Sequence, residues 1–400
     1  MPRHLEEVKL DIKRQVENHM EEAIGLRREF HRHPELGYQE YETSEKIAAY
    51  LKDLGLSVTT GITKTGVTGL LDSGVEGPTL LMRSDMDALE VSEENDVDYV
   101  SQNPGLMHAC GHDASMASLL IAAKILASRK EQIKGRILFV FQPNEENAGA
   151  LNMIREGRLM EQYAPSGCMA IHYWPYLPTG VLGLAPGAVM AGTDHFHLKI
   201  IGKGGHTGSP HLAVDPILCA SCVVQGLQSL QTREINIQKP TLIMAGKIYG
   251  GTASNIVPDY VTLEGTSRYL YKMTSEEDLR GRMERFIKST CEAHGATYEL
   301  EWTDSHPAVY NDEKMVQTVK SIVPMVIDKA DAIREERSTA GEDFSEFTDR
   351  IPGVFIHVGS GNKEKDTCYP LHNPKFQLDE DAMKIGIELH VRSALKWFES

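Results

Sequence analysis

The residues best suited to chemistry in this sequence lie in one short stretch, 107–113 (MHACGHD), which holds a thiol, two imidazoles and a carboxylate. Cys110 and His112 are side chains of the types that bind divalent ions such as zinc. Because two ligands cannot fill a coordination shell, further donors must come from elsewhere in the chain. The candidates for those donors are Glu145, Glu146, His172 and His372.

Adjacent glutamates, Glu145 and Glu146, follow the apolar run RILFVFQ. Neighbouring side chains point in different directions, so Glu146 could bind a metal while Glu145 handles protons. In that role Glu145 takes a proton from a metal-activated water that attacks a carbonyl, and delivers it to the leaving nitrogen. A Glu-Glu pair alone is more typical of a solvated helix start. The preceding strand and the His and Cys partners favour the catalytic interpretation.

Cys110 has three interpretations: a buried small hydrophobe, a nucleophile or a metal thiolate. A nucleophile would need a base and an orienting residue, which His112 and Asp113 could supply in composition. Side chains two positions apart at a helix start do not readily face each other, so a thiolate ligand fits better. Asp113 is then expected to accept a hydrogen bond from a ligating imidazole, to cap the helix, or both.

Three further candidates lie later in the chain. His206, in GKGGH, is either an exposed loop residue or a donor to a carbonyl oxygen on which negative charge develops. Asn255, in GGTASN, and Arg268, after a predicted strand, are candidate partners of a carboxylate or an oxyanion. Arg268 taken alone would more often form a surface ion pair.

The elements that position these residues alternate between strand and helix. We predict strands over 78–84, 136–142 and 168–173 and a helix over 113–128, a βαβ rhythm that favours a largely parallel sheet with helices on both faces. The candidate ligands follow the strands or open the helix. Because ligands gather at the carboxyl edge of such sheets, we expect these side chains to lie together.

A second domain is predicted as an insertion. A Gly- and Pro-rich stretch over 180–192 precedes segments in the order βαββαβ, which indicates a small ferredoxin-like α+β domain. We therefore assign 1–186 and 306–400 to a discontinuous catalytic domain and 187–305 to an inserted domain. With two chain crossings between them, the smaller domain is expected to move as a lid.

Composition and charge disfavour some classes of partner and location for this protein. The chain has 400 residues, 41% of them hydrophobic, and a formal charge of −16, which disfavours nucleic acids and anionic membranes as partners. We predict no export signal or membrane helix, and hence a cytoplasmic protein with a small-molecule partner. Six cysteines do not form a disulfide framework, and Cys219 and Cys222 are interpreted as helix packing.

Several motifs in one order carry a resemblance that covers nearly the whole chain. They are FHRHPELGYQE, MRSDMDAL, MHACGHD, QPNEE, AIHYWP, GKGGHTGSPHLAVDPI, GGTASNIVPD, AGEDFS and LHNPKF. Together they resemble the dinuclear-metal aminoacylase and carboxypeptidase superfamily, in particular the amidohydrolase branch that contains hippurate hydrolase and plant auxin-conjugate hydrolases. The resemblance implies an α/β fold: a zinc-peptidase-like catalytic domain with a mostly parallel sheet, plus an inserted ferredoxin-like dimerisation domain.

The resemblance also implies roles for individual residues. Two divalent ions, Mn²⁺ or Zn²⁺ with Co²⁺ and Ni²⁺ as further candidates, would be held by Cys110, His112, Glu146, His172 and His372. Cys110 would bridge the ions and Glu145 would be general base and acid. A histidine at the position of His206 reaches across a dimer interface in the wider superfamily, and Asn255 and Arg268 match substrate-binding positions. Asp85 and Asp113 are expected to support the ligands, and a homodimer is expected, with a tetramer as the alternative.

The function expected from these features is metal-dependent hydrolysis of the amide bond in N-acyl or N-aroyl amino acids of the hippurate type. Related alternatives are a metallo-dipeptidase and an aminobenzoyl-glutamate-type carboxypeptidase. From other classes, a binding protein without catalysis and a metal-free cysteine hydrolase remain as alternatives at this point.

Overall fold

A computed structural model describes residues 11–399, except for the side chains of residues 304 and 305. These residues form two compact units. The first unit runs to Val189 and also contains Val309–Arg337 and the chain from Asp343 onwards. The second contains Met190–Ala308 and Ser338–Glu342. The chain thus passes between the units four times, whereas the sequence predicts two crossings and assigns 338–342 to the catalytic domain.

The elements are numbered in chain order. The strands are β1 (Ser57–Ile62), β2 (Gly66–Asp72), β3 (Thr79–Asp85), β4 (Arg136–Gln142), β5 (Pro165–Pro178), β6 (Leu182–Gly183), β7 (Gly187–Met190), β8 (Gly192–Ile201), β9 (Gly205–His206), β10 (Thr241–Gly250), β11 (Ile256–Val257), β12 (Tyr260–Tyr269), β13 (Thr297–His306), β14 (Val309–Asn311), β15 (Ile333–Arg334) and β16 (Gly353–Gly361). The helices are α1 (Met20–Arg32), α2 (Tyr41–Asp53), α3 (His112–Ala127), α4 (Ala150–Glu156), α5 (Leu159–Tyr163), α6 (Pro216–Ser229), α7 (Leu279–Ala293), α8 (Glu313–Val326), α9 (Ser345–Thr348) and α10 (Asp381–Trp397).

An eight-stranded sheet forms the centre of the first unit, in the order β1-β2-β4-β3-β5-β16-β6-β15. The four middle strands, β4, β3, β5 and β16, run parallel to one another. The β1–β2 hairpin joins one side of them antiparallel, and β6 joins the other side antiparallel. The predicted α/β fold with a mostly parallel central sheet is confirmed.

Apolar composition explains why the middle of this sheet is buried. Every residue of β3 and of β16 is buried, as parallel strands covered on both faces require. Helix α3 is apolar around most of its circumference, and it packs against α1 and α10. The buried strand β3 ends at Asp85, and α3 begins at His112. A candidate site residue therefore lies at the end of this strand and at the start of this helix.

The second unit is built on a four-stranded antiparallel sheet in the order β10-β12-β8-β13. Helices α6 and α7 pack against each other, and the chain order βαββαβ is the predicted ferredoxin-like one. Helix α6 begins at Pro216, and the carboxylate of Asp215 accepts from the backbone N–H groups of Ile217 and Leu218. Cys219 is buried on α6, with its Sγ 3.8 Å from that of Cys291 on α7.

No helix within residues 11–399 combines the length and the apolar composition needed to cross a membrane.

Candidate metal centre

The loop before α3 brings Cys110 and His112 to the carboxyl edge of the central sheet. Gly111 adopts a left-handed conformation with φ 85°, which a side chain would oppose. This turn makes His112 the first residue of α3, and both Cys110 and His112 are buried.

Six side chains of the first unit converge in three overlapping groups, in each of which the potential ligand atoms lie within 4.8 Å of one another. The groups are Cys110 with His112 and His172, Cys110 with Glu146 and His372, and His112 with Glu145 and Glu146. Ligands bound at about 2.0–2.3 Å from one ion must lie a few ångströms apart, as these atoms do. The structure thus brings together the five predicted ligands and Glu145.

Hydrogen bonds orient the two buried imidazoles. Nδ1 of His112 donates to the carbonyl oxygen of Asp87 over 2.9 Å, and Nδ1 of His172 donates to that of Tyr173 over 2.9 Å. In both rings Nε2 is then the nitrogen left for a ligand role. Nε2 of His172 lies 3.5 Å from Sγ of Cys110, and Nε2 of His112 is buried without a hydrogen bond. The donor set fits a divalent cation.

Negative charge concentrates at this cluster. Burial and the carboxylates of Glu146, Glu145 and Asp85 raise the pKa of the Cys110 thiol well above its ordinary value. A thiolate there needs a compensating cation. Burial on its own would lower the pKa of His112, but the charges of Asp85 and Asp87 raise that pKa to about 10. In both cases the nearby carboxylates favour the protonated form, so the site favours positive charge.

The loop that carries the two glutamates is anchored by Asp87. The two carboxylate oxygens of Asp87 accept from the backbone N–H groups of Glu145, over 3.0 Å, and Glu146, over 3.1 Å. The glutamates open a short 3₁₀ turn, Glu145–Asn147, after the left-handed residue Asn144. This role of Asp87 was not predicted from the sequence.

Asp85 lies beside the cluster and is held by Arg83. Its Oδ2 accepts from Arg83 Nη1 over 2.8 Å and lies 3.7 Å from His112 Nε2, while Oδ1 is buried without a hydrogen bond. Arg83 also donates to Gln142 and to Asp343, so one buried guanidinium joins β3, β4 and the segment before α9. Arg83 and Asp343 were not identified from the sequence.

His372 reaches the cluster from a loop near the end of the chain. Its Nε2 lies 3.2 Å from Oε1 of Glu146, and its side chain is half exposed. The residue adopts φ 65°, a left-handed conformation that is uncommon outside glycine. The fold therefore holds this histidine in place against a local preference.

The sequence comparison decides the family. The model of peptidase family M20/M25/M40 matches residues 81–396. The chain belongs to this family. A putative amidohydrolase, YhaA, of Bacillus subtilis is 34% identical over 97% of this chain and 98% of its own. Thermostable carboxypeptidase 2 of Saccharolobus solfataricus is 35% identical over 98% of each. N-acetyl-L-cysteine deacetylase of Bacillus subtilis is 36% identical over 90% of this chain and 85% of its own.

Two solved structures agree with this assignment to M20. A putative aminohydrolase from methicillin-resistant Staphylococcus aureus superposes with a TM-score of 0.90 at 32% identity, covering 98% of this chain and 100% of its own. A dinuclear metal-binding M20 peptidase, the YXEP protein of Bacillus subtilis, gives 0.82 at 29% identity, covering 96% and 99%. The resemblance drawn from the motifs is thereby confirmed, and hydrolase chemistry is the activity of the family.

The contacts of Asp113 in this M20 chain differ from those predicted from the sequence. It does not cap α3. Its Oδ2 accepts from Nε of Arg27 and Nδ1 of His31, each over 2.8 Å, in a fully buried cluster. Although burial on its own would raise the pKa of Asp113, Arg27 and His31 lower it below its usual range. No proposed ligand donates to Asp113; its partners come from α1.

The remaining predicted residues of this M20 chain lie in the second unit. His206 is exposed on β9, whose partner β11 begins next to Asn255, and both residues line a groove of about 790 Å³. Arg268 donates to Oγ1 of Thr193 over 3.2 Å and to the carbonyl oxygen of Thr339 over 3.1 Å. Burial lowers the pKa of Arg268, and among the described residues no carboxylate pairs with it. A half-buried guanidinium without an acidic partner is suited to bind an anion.

Proposed function

We propose that this chain is a metal-dependent amidohydrolase that cleaves the amide bond of N-acyl or N-aroyl amino acids. The observation that supports this most is the convergence of Cys110, His112, Glu146, His172 and His372 with Glu145 beside them. A divalent-metal centre with an acid–base residue beside it can supply the activated water and the proton transfers that hydrolysis of an unactivated amide needs.

The cofactor in this proposal is a pair of divalent ions, Mn²⁺ or Zn²⁺. The five donors named above would hold them. When bound, the ions would polarise the amide carbonyl and lower the pKa of the attacking water. Thiolate suits Zn²⁺, whereas carboxylate and imidazole also suit Mn²⁺.

Glu145 is the proposed general base and acid. Its Oε2 lies 3.9 Å from Nε2 of His112, and its backbone N–H is bound to Asp87, so the carboxylate is held at the edge of the cluster. From there Glu145 takes one proton from the attacking water and passes it to the nitrogen of the departing amino acid. The products are a carboxylic acid and a free amino acid.

Residues of the second unit are the proposed substrate ligands. Arg268 lacks an acidic partner among the described residues and would bind the carboxylate of the amino acid. Asn255 and His206, which share a groove, would donate to the substrate carbonyl as negative charge develops on its oxygen. An N-acetyl-L-cysteine deacetylase among the relatives supports an N-acyl amino acid as substrate.

Carboxypeptidase activity is the second candidate, because a thermostable carboxypeptidase is as similar to this chain as the amidohydrolase is. It would use the same metal centre and Glu145. A panel of N-acetyl amino acids, N-benzoyl amino acids and dipeptides separates the two. Hydrolysis of the acyl amino acids at a higher kcat/KM than the dipeptides supports our proposal, and the reverse order supports the carboxypeptidase.

Chelation tests the mechanism. The protein is stripped of metal, returned to Mn²⁺, Zn²⁺ or Co²⁺, and assayed alongside Glu145→Gln and the exposed control Glu161→Gln. We expect activity to need an added ion and Glu145→Gln to lose about 10²–10⁴-fold in kcat, with Glu161→Gln unchanged. Activity that survives chelation, or a fully active Glu145→Gln, would exclude this mechanism.

The proposed quaternary state is a homodimer formed through the second unit. Its edge strand β10 exposes apolar side chains, with Leu242, Met244 and Ile248 at 39%, 49% and 57% of their full exposure. Uncovered edge strands of this kind pair readily with another chain. Sedimentation equilibrium of the intact protein measures the stoichiometry, and a tetramer is the alternative outcome.

A further inference from the structure

Glu40 is a fully buried glutamate of the first unit that no cation neutralises. Its Oε2 accepts from Oγ1 of Thr65 over 2.6 Å, and its Oε1 accepts from the backbone N–H of Asn144 over 3.0 Å. Among the described residues no lysine, arginine or histidine pairs with it. A buried carboxyl group with so little compensation costs stability, so its presence calls for an explanation.

Helix capping does not explain Glu40. The residue lies at the N-cap position of α2, where an acidic side chain would normally bind the first free N–H groups, but it makes no such bond. Glu35 does this instead: its two carboxylate oxygens accept from the backbone N–H groups of Glu42, over 3.2 Å, and Thr43, over 2.9 Å. The side chain of Glu40 is therefore directed to the loop rather than to its own helix.

Glu40 and Asp87 together bind three consecutive N–H groups. Glu40 holds that of Asn144, and Asp87 holds those of Glu145 and Glu146. The loop needs such anchoring because Ala148, at the end of the turn Glu145–Asn147, has φ 58°, a left-handed conformation that is uncommon for alanine. Two buried carboxylates thus fix the backbone from which both glutamates of the cluster project.

We propose that Glu40 is a positioning residue for the reaction: by holding the N–H of Asn144, it sets the place of Glu145 at the metal centre. The proposal rests on the function proposed for Glu145. The group that Glu40 supplies is a hydrogen-bond acceptor, and its charge is not needed for that contact. A glutamine can therefore replace it, because the amide oxygen accepts the same N–H, whereas an alanine cannot.

Kinetics of Glu40→Ala, Glu40→Gln and the matched control Glu35→Gln test this on the metal-loaded protein with its best N-acyl amino acid. A small misplacement of a reacting group costs on the order of 100-fold. We expect Glu40→Ala to lose about 100-fold in kcat, with KM changed less than twofold, and Glu40→Gln to stay within about fivefold of the original kcat. Glu35→Gln, which replaces one of the two acceptor oxygens that cap α2, should keep kcat.

The idea fails if Glu40→Ala and Glu40→Gln lose the same factor in kcat, or if Glu35→Gln loses as much as Glu40→Ala. Should Glu40→Ala not fold, Thr65→Val serves in its place, because it removes one of the two contacts that fix the Glu40 carboxyl. A loss of about tenfold in kcat is then expected, and an unchanged kcat for Thr65→Val would overturn the proposal.

Hydrogen exchange provides a readout that does not depend on activity. In the peptide that spans Asn144–Glu146, amide exchange should be about tenfold faster in Glu40→Ala than in the original protein, and unchanged in Glu35→Gln. Equal exchange in all three proteins would refute the positioning role. If the original protein hydrolyses no substrate of the panel while this exchange difference is present, the proposed function fails and the anchoring of the loop stands.

Discussion

The backbone N–H of His372 donates a hydrogen bond of 2.8 Å to the carbonyl oxygen of Ala109. This bond ties the loop that carries the last predicted ligand to the loop that carries Cys110, the residue next to Ala109. Because it is made by the main chain, it does not depend on the imidazole. The position of the His372 loop and the ligand role of its side chain can therefore be separated by substitution.

His372→Asn is the substitution that separates them. Asparagine tolerates the left-handed conformation of this residue and keeps the N–H, but it lacks the ligand nitrogen. We expect the affinity for one divalent ion to fall by about 10- to 100-fold or more, while the free energy of unfolding of the metal-free protein stays within about 0.5 kcal/mol. Competition titration with a chelating dye and urea denaturation measure the two quantities. Unaltered affinity would remove His372 from the ligand set.

The buried pair Arg27–Asp113 makes a prediction about stability. Arg27→Leu removes the guanidinium that pairs with Asp113 and leaves the carboxylate buried. We therefore expect the free energy of unfolding to fall by about 3–5 kcal/mol. The neighbouring Arg28 pairs with Glu380 in a partly exposed position, and Arg28→Leu should cost less than about 1 kcal/mol. Urea denaturation of the metal-free variants measures both. Similar losses in the two variants would contradict a special role for the buried pair.

His390 makes a prediction about acid stability. Burial lowers its pKa from 6.5 to about 3, so below pH 6.5 the unfolded chain binds a proton that the folded protein does not. This group therefore lowers stability as the pH falls, by about 2 kcal/mol between pH 7.5 and pH 5. His390→Leu should remove that loss, and the exposed control His211→Leu should not. The free energy of unfolding is measured for each protein at the two pH values. If it falls equally with pH in His390→Leu and in the original protein, His390 is not the cause of the loss.

For Glu40 we predict a pH dependence of stability that is opposite to that of His390. Burial raises its pKa from 4.5 to about 7, so between these values the folded protein keeps a proton that the unfolded chain has released. Its contribution to stability is present below pH 4.5 and is lost as the pH rises through 7. Relative to the original protein, Glu40→Gln should gain up to about 3 kcal/mol between pH 5 and pH 8. The exposed Glu45→Gln is the control, and an advantage that does not grow with pH would show that Glu40 is not titrating as described.

Patterned segments were predicted well from the sequence. The strand Arg136–Gln142 has the predicted limits, and the helix predicted over 113–128 is His112–Ala127, because mostly apolar runs mark both segments. The β1–β2 hairpin was not predicted. Its edge strand β1 is mostly polar and exposed, so its conformation comes from pairing with β2 rather than from an apolar pattern.

For the candidate site, too, one part was predicted from the sequence and another was not. Ligand types and their placement after strands predicted the cluster, since residue chemistry and the sheet edge are both readable. The supporting contacts were not predictable, because they join residues that are far apart in sequence and have no periodic signal. Arg27 and Arg83 are examples, because the residue type alone does not show whether an arginine pairs inside the core or lies on the surface.

The predicted donors of the candidate metal centre come from positions 110, 112, 146, 172 and 372. A chain in synthesis therefore carries four of them long before the fifth, and folding proceeds from the N-terminal end. The full donor set is reached only once residue 372 has been synthesised. A fragment that stops before residue 372 would hold the proposed general base, Glu145, but an incomplete set of predicted ligands.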